Sequence, residues 1–384
     1  MAHLAHNLRG KGVTTVPSFS WADIAAAKNQ FTSAVPGNTE KYYEKRGVQL
    51  FRDVASFVEP GVLQVGEEKL KGTDIVLATG ARSRELDIPG HELAFNSDGF
   101  LALTELPKSL VFVGGGYISF EFAHVAAAFG SKVTILNRTD NVLAQFDREL
   151  VEAALAATKD AGIDVCTGQT PASMEKTEAG IVVTCEGGDK FVAEAVCVAA
   201  GRVPNVDKLN LDVLGVPDSS RGLAVEANMQ VVGQPNLYAV GDCAKTVSLA
   251  PVADREALVA AANITGTAME MDYTILPSIC FTQPPLAAVG LTEKQATDQG
   301  LKFEVKRGNS YKWPNYKRLG ATHGSYKTLV GEDGRLIGVH LLGHESGDMI
   351  NLFAMVMKSG LPAAVIKEMM WAYPTMSSDL KYMV

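Results

Sequence analysis

The sequence predicts an α/β protein: two related parallel-sheet layers, the first truncated, followed by a C-terminal α+β domain. Three observations predict it. Residues 109–136 read as an apolar strand, a triple-glycine turn, a helix and a second apolar strand, which is one βαβ unit. The strand end at Ala195–Arg202 echoes the one at Ile75–Arg82, an apolar run closing in a small residue, glycine and arginine. Such an internal echo points to two related layers. From Tyr273 onward the composition turns Pro-rich and aromatic, and period-2 alternation appears over Leu336–Leu341.

In chain order, residues 1–58 read as mostly helical, with an amphipathic run over Trp21–Glu40 interrupted at Pro36-Gly37. Asp74–Gly80 is a short apolar run ending at a small-residue turn, the pattern of a buried parallel strand. The βαβ unit comprises Leu110–Val113, Gly114–Gly116, a helix to Phe129 and Val133–Leu136. A further helix spans Asp147–Ala161, and Gly162–Val165 begins the next strand. Leu237–Asp242 is a third glycine-terminated strand, and the rest reads as a separate α+β domain.

Composition excludes several classes. The 384 residues are 47% hydrophobic and 20% charged, so the chain carries ample core and belongs to no disordered class. A net charge of -8 without a Lys/Arg block argues against a nucleic-acid or anionic-membrane surface. No window approaches the roughly 18 apolar residues of a spanning helix, and the N-terminus lacks the pattern of a secretory signal. Cys166, Cys185, Cys197, Cys243 and Cys280 are widely spaced, which fits free thiols in a reducing compartment, the cytoplasm, and excludes zinc knuckles and close redox pairs. His344-Glu345 would need a histidine at 348 to form a zinc motif; that residue is Asp348.

The residues with chemical content cluster at strand ends. In Gly114-x-Gly116-x-x-Ser119, Gly114 permits the tight turn, Gly116 the approach of a pyrophosphate, and Ser119 close helix–strand packing. The phosphate would rest on amides at the helix start, so a Rossmann-like dinucleotide site is expected. The second strand ends Asn137-Arg138 where NAD sites carry an acid; an arginine there favours the 2′-phosphate of NADP over NAD. Gly241-Asp242 places a carboxylate beside a glycine turn, where it can accept hydrogen bonds from a ribityl chain.

The order of these motifs carries a resemblance. Ala78-Thr79-Gly80, GGGYISFE at 114–121, AGRVPN at 200–205, LYAVGDC at 237–243 and FTQPPLAAVGLTE at 281–293 occur in the order seen in the pyridine nucleotide–disulfide oxidoreductases. The chain resembles that family over essentially its whole length. The resemblance implies an FAD-binding domain at 1–105, an NAD(P)-binding domain at 106–202, a return segment at 203–270 and a homodimerisation domain at 271–384. It implies FAD contacts at Thr79, Gly80, Gly241 and Asp242, and nicotinamide cofactor contacts at Gly114, Gly116, Arg138 and Gly201. Glu121 matches a glutamate that lies near the flavin and pairs with a lysine.

The chain also departs from the family pattern. An opening strand with GxGxxG, a CxxxxC pair and the lysine partner are absent from the sequence, so the FAD domain reads as truncated. An incomplete chain, a strand supplied by another polypeptide, and a lost flavin site each account for this. The family's C-terminal His-Pro-Thr with a following glutamate is here Tyr373-Pro374-Thr375 with Ser378 and Asp379. A phenol of pKa about 10 shuttles protons poorly at neutral pH, which speaks against thiol–disulfide chemistry. Tyr373 is still implied to face the partner subunit's flavin.

The expected function is hydride transfer from NAD(P)H to FAD and onward to an unidentified small-molecule or protein acceptor, with Glu121 and Tyr373 as catalytic candidates and no metal. A non-catalytic NAD(P)-binding and dimerisation remnant, or half of a split enzyme, are the alternatives. Cys243 and Cys280 read as packing residues, His124 as a packing or surface residue, His323 and His340 as residues of the dimerisation sheet, and Tyr311, Trp313 and Tyr316 as interface packing.

Overall fold

The computed structural model describes residue 5, residues 7–15, 18–216 and 220–384. It divides into two compact units, one of residues 1–25, 85–200 and 274–384, the other of 26–84 and 201–273. The expectation of mostly helix over residues 1–58 holds only in part: the helices are α1 (Trp21–Thr32) and α2 (Val35–Glu44), the described residues from 8 to 20 and those from 45 to 54 are turns and coil, and a strand begins at Ala55. The interruption falls at Ser33-Ala34 instead of Pro36-Gly37. Pro36 lies in the first turn of α2, where its missing N–H would have no intrahelical partner anyway. Trp21 anchors the start of α1 in the first unit: its indole N–H donates to the Leu103 carbonyl at 2.9 Å, and its ring meets Phe100 and Phe129 edge-on.

An antiparallel meander follows in the second unit: β1 (Ala55–Glu59), β2 (Val62–Val65) and β3 (Glu68–Lys71). Its first strand overturns the helical reading of residues 55–58, and its third strand, Glu-Lys-Leu-Lys, carries only one apolar residue and so gives no strand pattern. Phe57 buries it against Leu77, Leu209, Leu211 and Leu237. The Asp74–Gly80 run becomes β4 (Ile75–Leu77), and β5 (Ala81–Ser83) follows directly.

The first unit's βαβ segment agrees closely with expectation. β6 (Ser109–Val113), α3 (Tyr117–Ala128), β7 (Lys132–Leu136), α4 (Arg148–Asp160) and β8 (Ile163–Cys166) alternate. A second meander, β9 (Pro171–Thr177), β10 (Gly180–Cys185) and β11 (Lys190–Ala193), leads into β12 (Ala195–Val198). The parallel sheet has the order β12-β6-β7-β8. Strand β6 is apolar throughout because both its faces are covered. Leu110 and Phe112 pack with Phe120, Ala123 and Leu150 from the helices, while Val111 and Val113 pack with Met174, Val183 and Ala193 from the meander.

In the second unit β13 (Arg202–Pro204) pairs with β5, and β14 (Leu237–Ala239) pairs in parallel with β4. The helix α5 (Ala250–Ile264) follows. The echo in the sequence thus corresponds partly to direct pairing: Arg202 lies opposite Ser83, and Pro204 opposite Ala81.

The C-terminal region is α+β, as predicted. β15 (Ser278–Cys280), β16 (Leu286–Gly290), β17 (Phe303–Gly308), β18 (Ser325–Gly331) and β19 (Leu336–Leu342) form an antiparallel sheet of order β15-β16-β19-β18-β17. The helices α6 (Glu293–Asp298) and α7 (Ser346–Lys358) flank it. The alternation in β19 does not mark a wet face. Leu342 joins the cluster that includes Leu150, whereas Val339 and Leu341 join Ile350 and Phe353 of α7, so both faces are dry. His340 is buried on this strand, while His323 precedes β18 and pairs with Asp160 at 2.8 Å instead of lying in the sheet. The aromatic trio also divides: Tyr316 is a core residue at 1% exposure, and Trp313 packs on Tyr326 and Tyr382 of its own chain. His124 is buried against Thr158, in agreement with a packing role.

Candidate functional site

The glycine turn between β6 and α3 separates two kinds of glycine. Gly114 has φ +117, and a Cβ there would collide with the Ala199 carbonyl, whose carbon would lie 2.8 Å away. The fold itself demands this glycine. Gly116 has φ -88 and ψ 174, which any residue adopts, and among the described residues a Cβ there would meet nothing within 4 Å. Gly116 caps α3, whose first amides receive no side-chain cap and whose first turn carries no acid. Uncapped amides beneath open space are a cradle for an anionic group. Ser119 is wholly buried, as close helix–strand packing requires.

Asn137, the residue in the acid's place, is committed to the turn. Its Oδ1 accepts the Gly115 N–H at 2.9 Å and its Nδ2 donates to the Thr139 carbonyl. Arg138 follows it, exposed at the end of β7. Arg138 thus puts a cation at this strand end, followed by the exposed Thr139 and Asp140.

Glu121 lies on α3. Its Oε1 accepts the Phe281 N–H at 2.9 Å, tying the helix to the segment after β15. Burial raises its carboxyl above the ordinary 4.5, and the Phe281 hydrogen bond offsets only part of the rise. A carboxyl with a raised pKa in the fold weakens stability once the pH exceeds its unfolded value, and the deficit levels off above the folded value. Glu121→Gln keeps an acceptor for Phe281 and cannot ionise. Its melting temperature should exceed that of the wild type at pH 7 and match it at pH 4, as thermal denaturation at the two pH values would show.

At the C-terminus, Tyr373 is 74% exposed. Its neighbours are engaged elsewhere. Ser378 and Thr375 cap one another, and Asp379 accepts from Asn315 at 3.0 Å in a buried setting that raises its carboxyl. Of the altered C-terminal signature, Tyr373, Pro374 and Thr375 are exposed, whereas Ser378 and Asp379 are buried.

In the second unit, Thr79-Gly80 follows β4. Asn205 secures it, donating from Nδ2 to the Thr79 carbonyl at 3.0 Å and from its backbone N–H to the Gly80 carbonyl at 2.9 Å. Gly80 has φ +66 with nothing near its missing Cβ, a second open cradle. Gly201, φ +108, is the first residue of this unit's second segment, and its carbonyl accepts the Arg84 N–H. Gly241-Asp242 forms a turn after β14. The Asp242 carboxylate, 30% exposed, has Arg202 Nε at 3.7 Å and retains an oxygen face for hydroxyl donors. Thr79, Gly80, Gly201, Gly241 and Asp242 thus share the second unit, and Gly114, Gly116, Glu121, Arg138 and Tyr373 the first. Open glycine cradles and a half-exposed carboxylate suit a cofactor bearing phosphates and hydroxyls.

No motif drew attention to Glu256 or Tyr273, yet the buried Glu256 accepts the Gly241 N–H at 2.7 Å and the Tyr273 hydroxyl at 2.7 Å. The cysteines match the packing expectation. Cys185, Cys197, Cys243 and Cys280 are buried, and burial pushes the Cys197 thiol up to about 12. Among the described residues, no cluster of three or more ligating side chains is placed to hold a metal, and no helix is long and apolar enough to cross a membrane.

Residues 9–257 match the Pyridine nucleotide-disulphide oxidoreductase family, and residues 276–384 match the dimerisation domain of the same enzymes. Dihydrolipoyl dehydrogenase of Staphylococcus aureus is 34% identical over 370 residues, covering 94% of this chain and 79% of that one. The dihydrolipoyl dehydrogenase of Halobacterium salinarum is 30% identical, with 98% and 82% covered. Among solved structures, the HOCl-induced flavoprotein disulfide reductase RclA from Escherichia coli superposes with a TM-score of 0.88 at 26% identity, covering 99% of this chain and 88% of that one. The strand–glycine–helix turn, the Gly-Asp turn and the C-terminal sheet thus belong to one known arrangement, and the chain is a member of the pyridine nucleotide-disulphide oxidoreductase family, FAD-dependent oxidoreductases that use NAD(P).

Proposed function

We propose that this chain oxidises NADPH in preference to NADH at the Gly114–Gly116 turn and holds FAD at Thr79-Gly80 and Gly241-Asp242. Bound together, the cofactors supply hydride transfer from nicotinamide to flavin. The protein's part is placement and charge. The uncapped amides of α3 and the space over Gly116 receive the pyrophosphate, and Arg138 faces the 2′-phosphate. Asp242 accepts from ribityl hydroxyls, and the Thr79-Gly80 turn lines the same cofactor. Gly201 contributes backbone without a side chain at the start of the second unit's second segment. Glu121 acts as a desolvated carboxyl near the transfer, and Tyr373 orients or shields the flavin of a partner subunit in a homodimer built through residues 271–384. Free thiols, four of them buried, fit a reducing compartment such as the cytoplasm. The acceptor beyond the flavin is a small molecule or protein reached without these thiols, because burial raises Cys166, Cys185, Cys197 and Cys280 away from the reactive thiolate.

The observation that carries the reading is the open cradle at Gly116 beside Arg138. Visible spectra under anaerobic conditions test it. A yellow protein bleached by NADPH at lower concentration than by NADH is expected, with the preference narrowing about tenfold in Arg138→Ala, as loss of one charge-assisted contact implies. Equal bleaching by both nucleotides in wild type and variant would remove Arg138 from the site.

A further inference from the structure

Glu256 lies on α5 with no measurable exposure, and both its carboxylate oxygens are used. Oε2 accepts the Gly241 N–H and Oε1 accepts the Tyr273 hydroxyl, each at 2.7 Å. Gly241 has φ +67, a left-handed conformation, with Ala253 of the same helix 3.2 Å from where a Cβ would stand. The turn therefore rests on α5, and its first amide is held by a buried carboxyl group. Tyr273 closes the back of the arrangement, with its hydroxyl 3.7 Å from the Met229 sulfur. Burial first, then Glu256 itself, raises the phenol above its ordinary 10, so it remains a donor throughout the neutral range.

A fully buried carboxylate is a costly way to satisfy one backbone amide. Its distinguishing feature is directional: a short bond accepted from the Gly241 N–H fixes the backbone of the turn from which Asp242 projects. We infer that Glu256, braced by Tyr273, is the positioning residue that sets the Gly241-Asp242 turn for FAD binding. The inference rests on the reading of that turn as an FAD contact.

The experiment is titration of the flavin-depleted protein with FAD, followed by flavin fluorescence, for wild type, Glu256→Ala, Glu256→Gln and Tyr273→Phe. NADPH affinity and far-UV circular dichroism are measured on each. Glu256→Gln retains an acceptor for Gly241, so its FAD affinity should stay within about threefold of wild type. Glu256→Ala should bind FAD about tenfold more weakly, the equivalent of one lost buried hydrogen bond, with NADPH affinity unchanged. That rescue by glutamine and the split between cofactors would not follow from general destabilisation. Equal FAD affinity in wild type and Glu256→Ala overturns the inference and leaves the FAD turn standing, as does equal loss in the alanine and glutamine variants. Failure of the wild type to take up FAD overturns both. If the alanine variant does not fold, Tyr273→Phe decides: a loss of a few fold in FAD affinity alone supports the brace, and unchanged affinity overturns it.

Discussion

Replacement of Lys327 by methionine is expected to destabilise the protein by about 3–5 kcal/mol, the range for removing one member of a buried ion pair. The Lys327 side chain on β18 is 4% exposed, and its Nζ lies 2.8 Å from Asp147, 3.0 Å from Glu149 and 2.6 Å from Glu293. Asp147, 5% exposed, caps α4 through the Glu149 N–H and also accepts the Glu293 N–H at 3.3 Å. Arg307 braces Glu149 and Glu293 from the outside. Methionine fills the same volume but leaves Asp147 buried without a counter-charge. Glu149 and Glu293 are partly exposed and can turn to water, so the loss falls chiefly on Asp147. The double variant Asp147→Asn with Lys327→Met should recover part of the deficit in urea denaturation.

The pH dependence has a definite sign. Burial alone pushes Asp147 up, but the Lys327 bond and charge, the His340 charge and the Glu293 N–H overturn it and hold it below 3.8; Lys327 likewise holds Glu293 below 4.5. Their stabilisation is present above the unfolded values and is lost as pH falls through the lowered ones. Burial pushes Lys327 down, the three carboxylates overturn that, and its value lies above 10.5. Its stabilisation is present below 10.5 and is lost as pH rises through the raised value. The gap between wild type and Lys327→Met should be widest at neutral pH and shrink in strong acid and base. A gap independent of pH would show that packing, and not charge, holds this junction of α4 with the C-terminal sheet.

Substituting alanine at Gly114 and at Gly116, one position at a time, should produce opposite phenotypes. At Gly114 the new Cβ meets the Ala199 backbone at a φ of +117, and the combined strain and overpacking should cost roughly 2–5 kcal/mol. At Gly116 the backbone is extended and the space empty, so stability should stay within about 0.5 kcal/mol of wild type. There the loss appears in binding: a methyl group in the cradle should weaken NADPH about tenfold or more, since roughly 1.4 kcal/mol of lost contact suffices. Thermal melts and NADPH titrations of the two variants distinguish these outcomes. Normal NADPH affinity in Gly116→Ala would mean that the pyrophosphate lies elsewhere.

The contrast between these pairs of residues shows what was legible in advance. Gly114 and Gly116 lie between a short continuous apolar run and a helical segment, so chain order alone marks them. Arg138 and the Gly241-Asp242 turn are read in the same way, from strand ends. Strand β3 was hidden because Glu-Lys-Leu-Lys has no alternation, and the helix break near residue 34 was hidden because proline is tolerated at a helix start. Lys327 and Asp147 stand 180 positions apart, and each alone looks like an ordinary surface charge.

The sequence by itself determined the parallel layers, the glycine turns, the cationic strand end and the order of motifs, since these depend on neighbours within one turn or strand. The tertiary structure alone decided which glycine serves the fold and which leaves room for a ligand. It also decided that both faces of β19 are dry, that Ser378 and Asp379 are buried while Tyr373 is exposed, and that the side chains of Glu256 and Lys327 are buried. Those properties depend on burial and on partners far away in the chain, and the free energy of a charge or a glycine is set by what surrounds it.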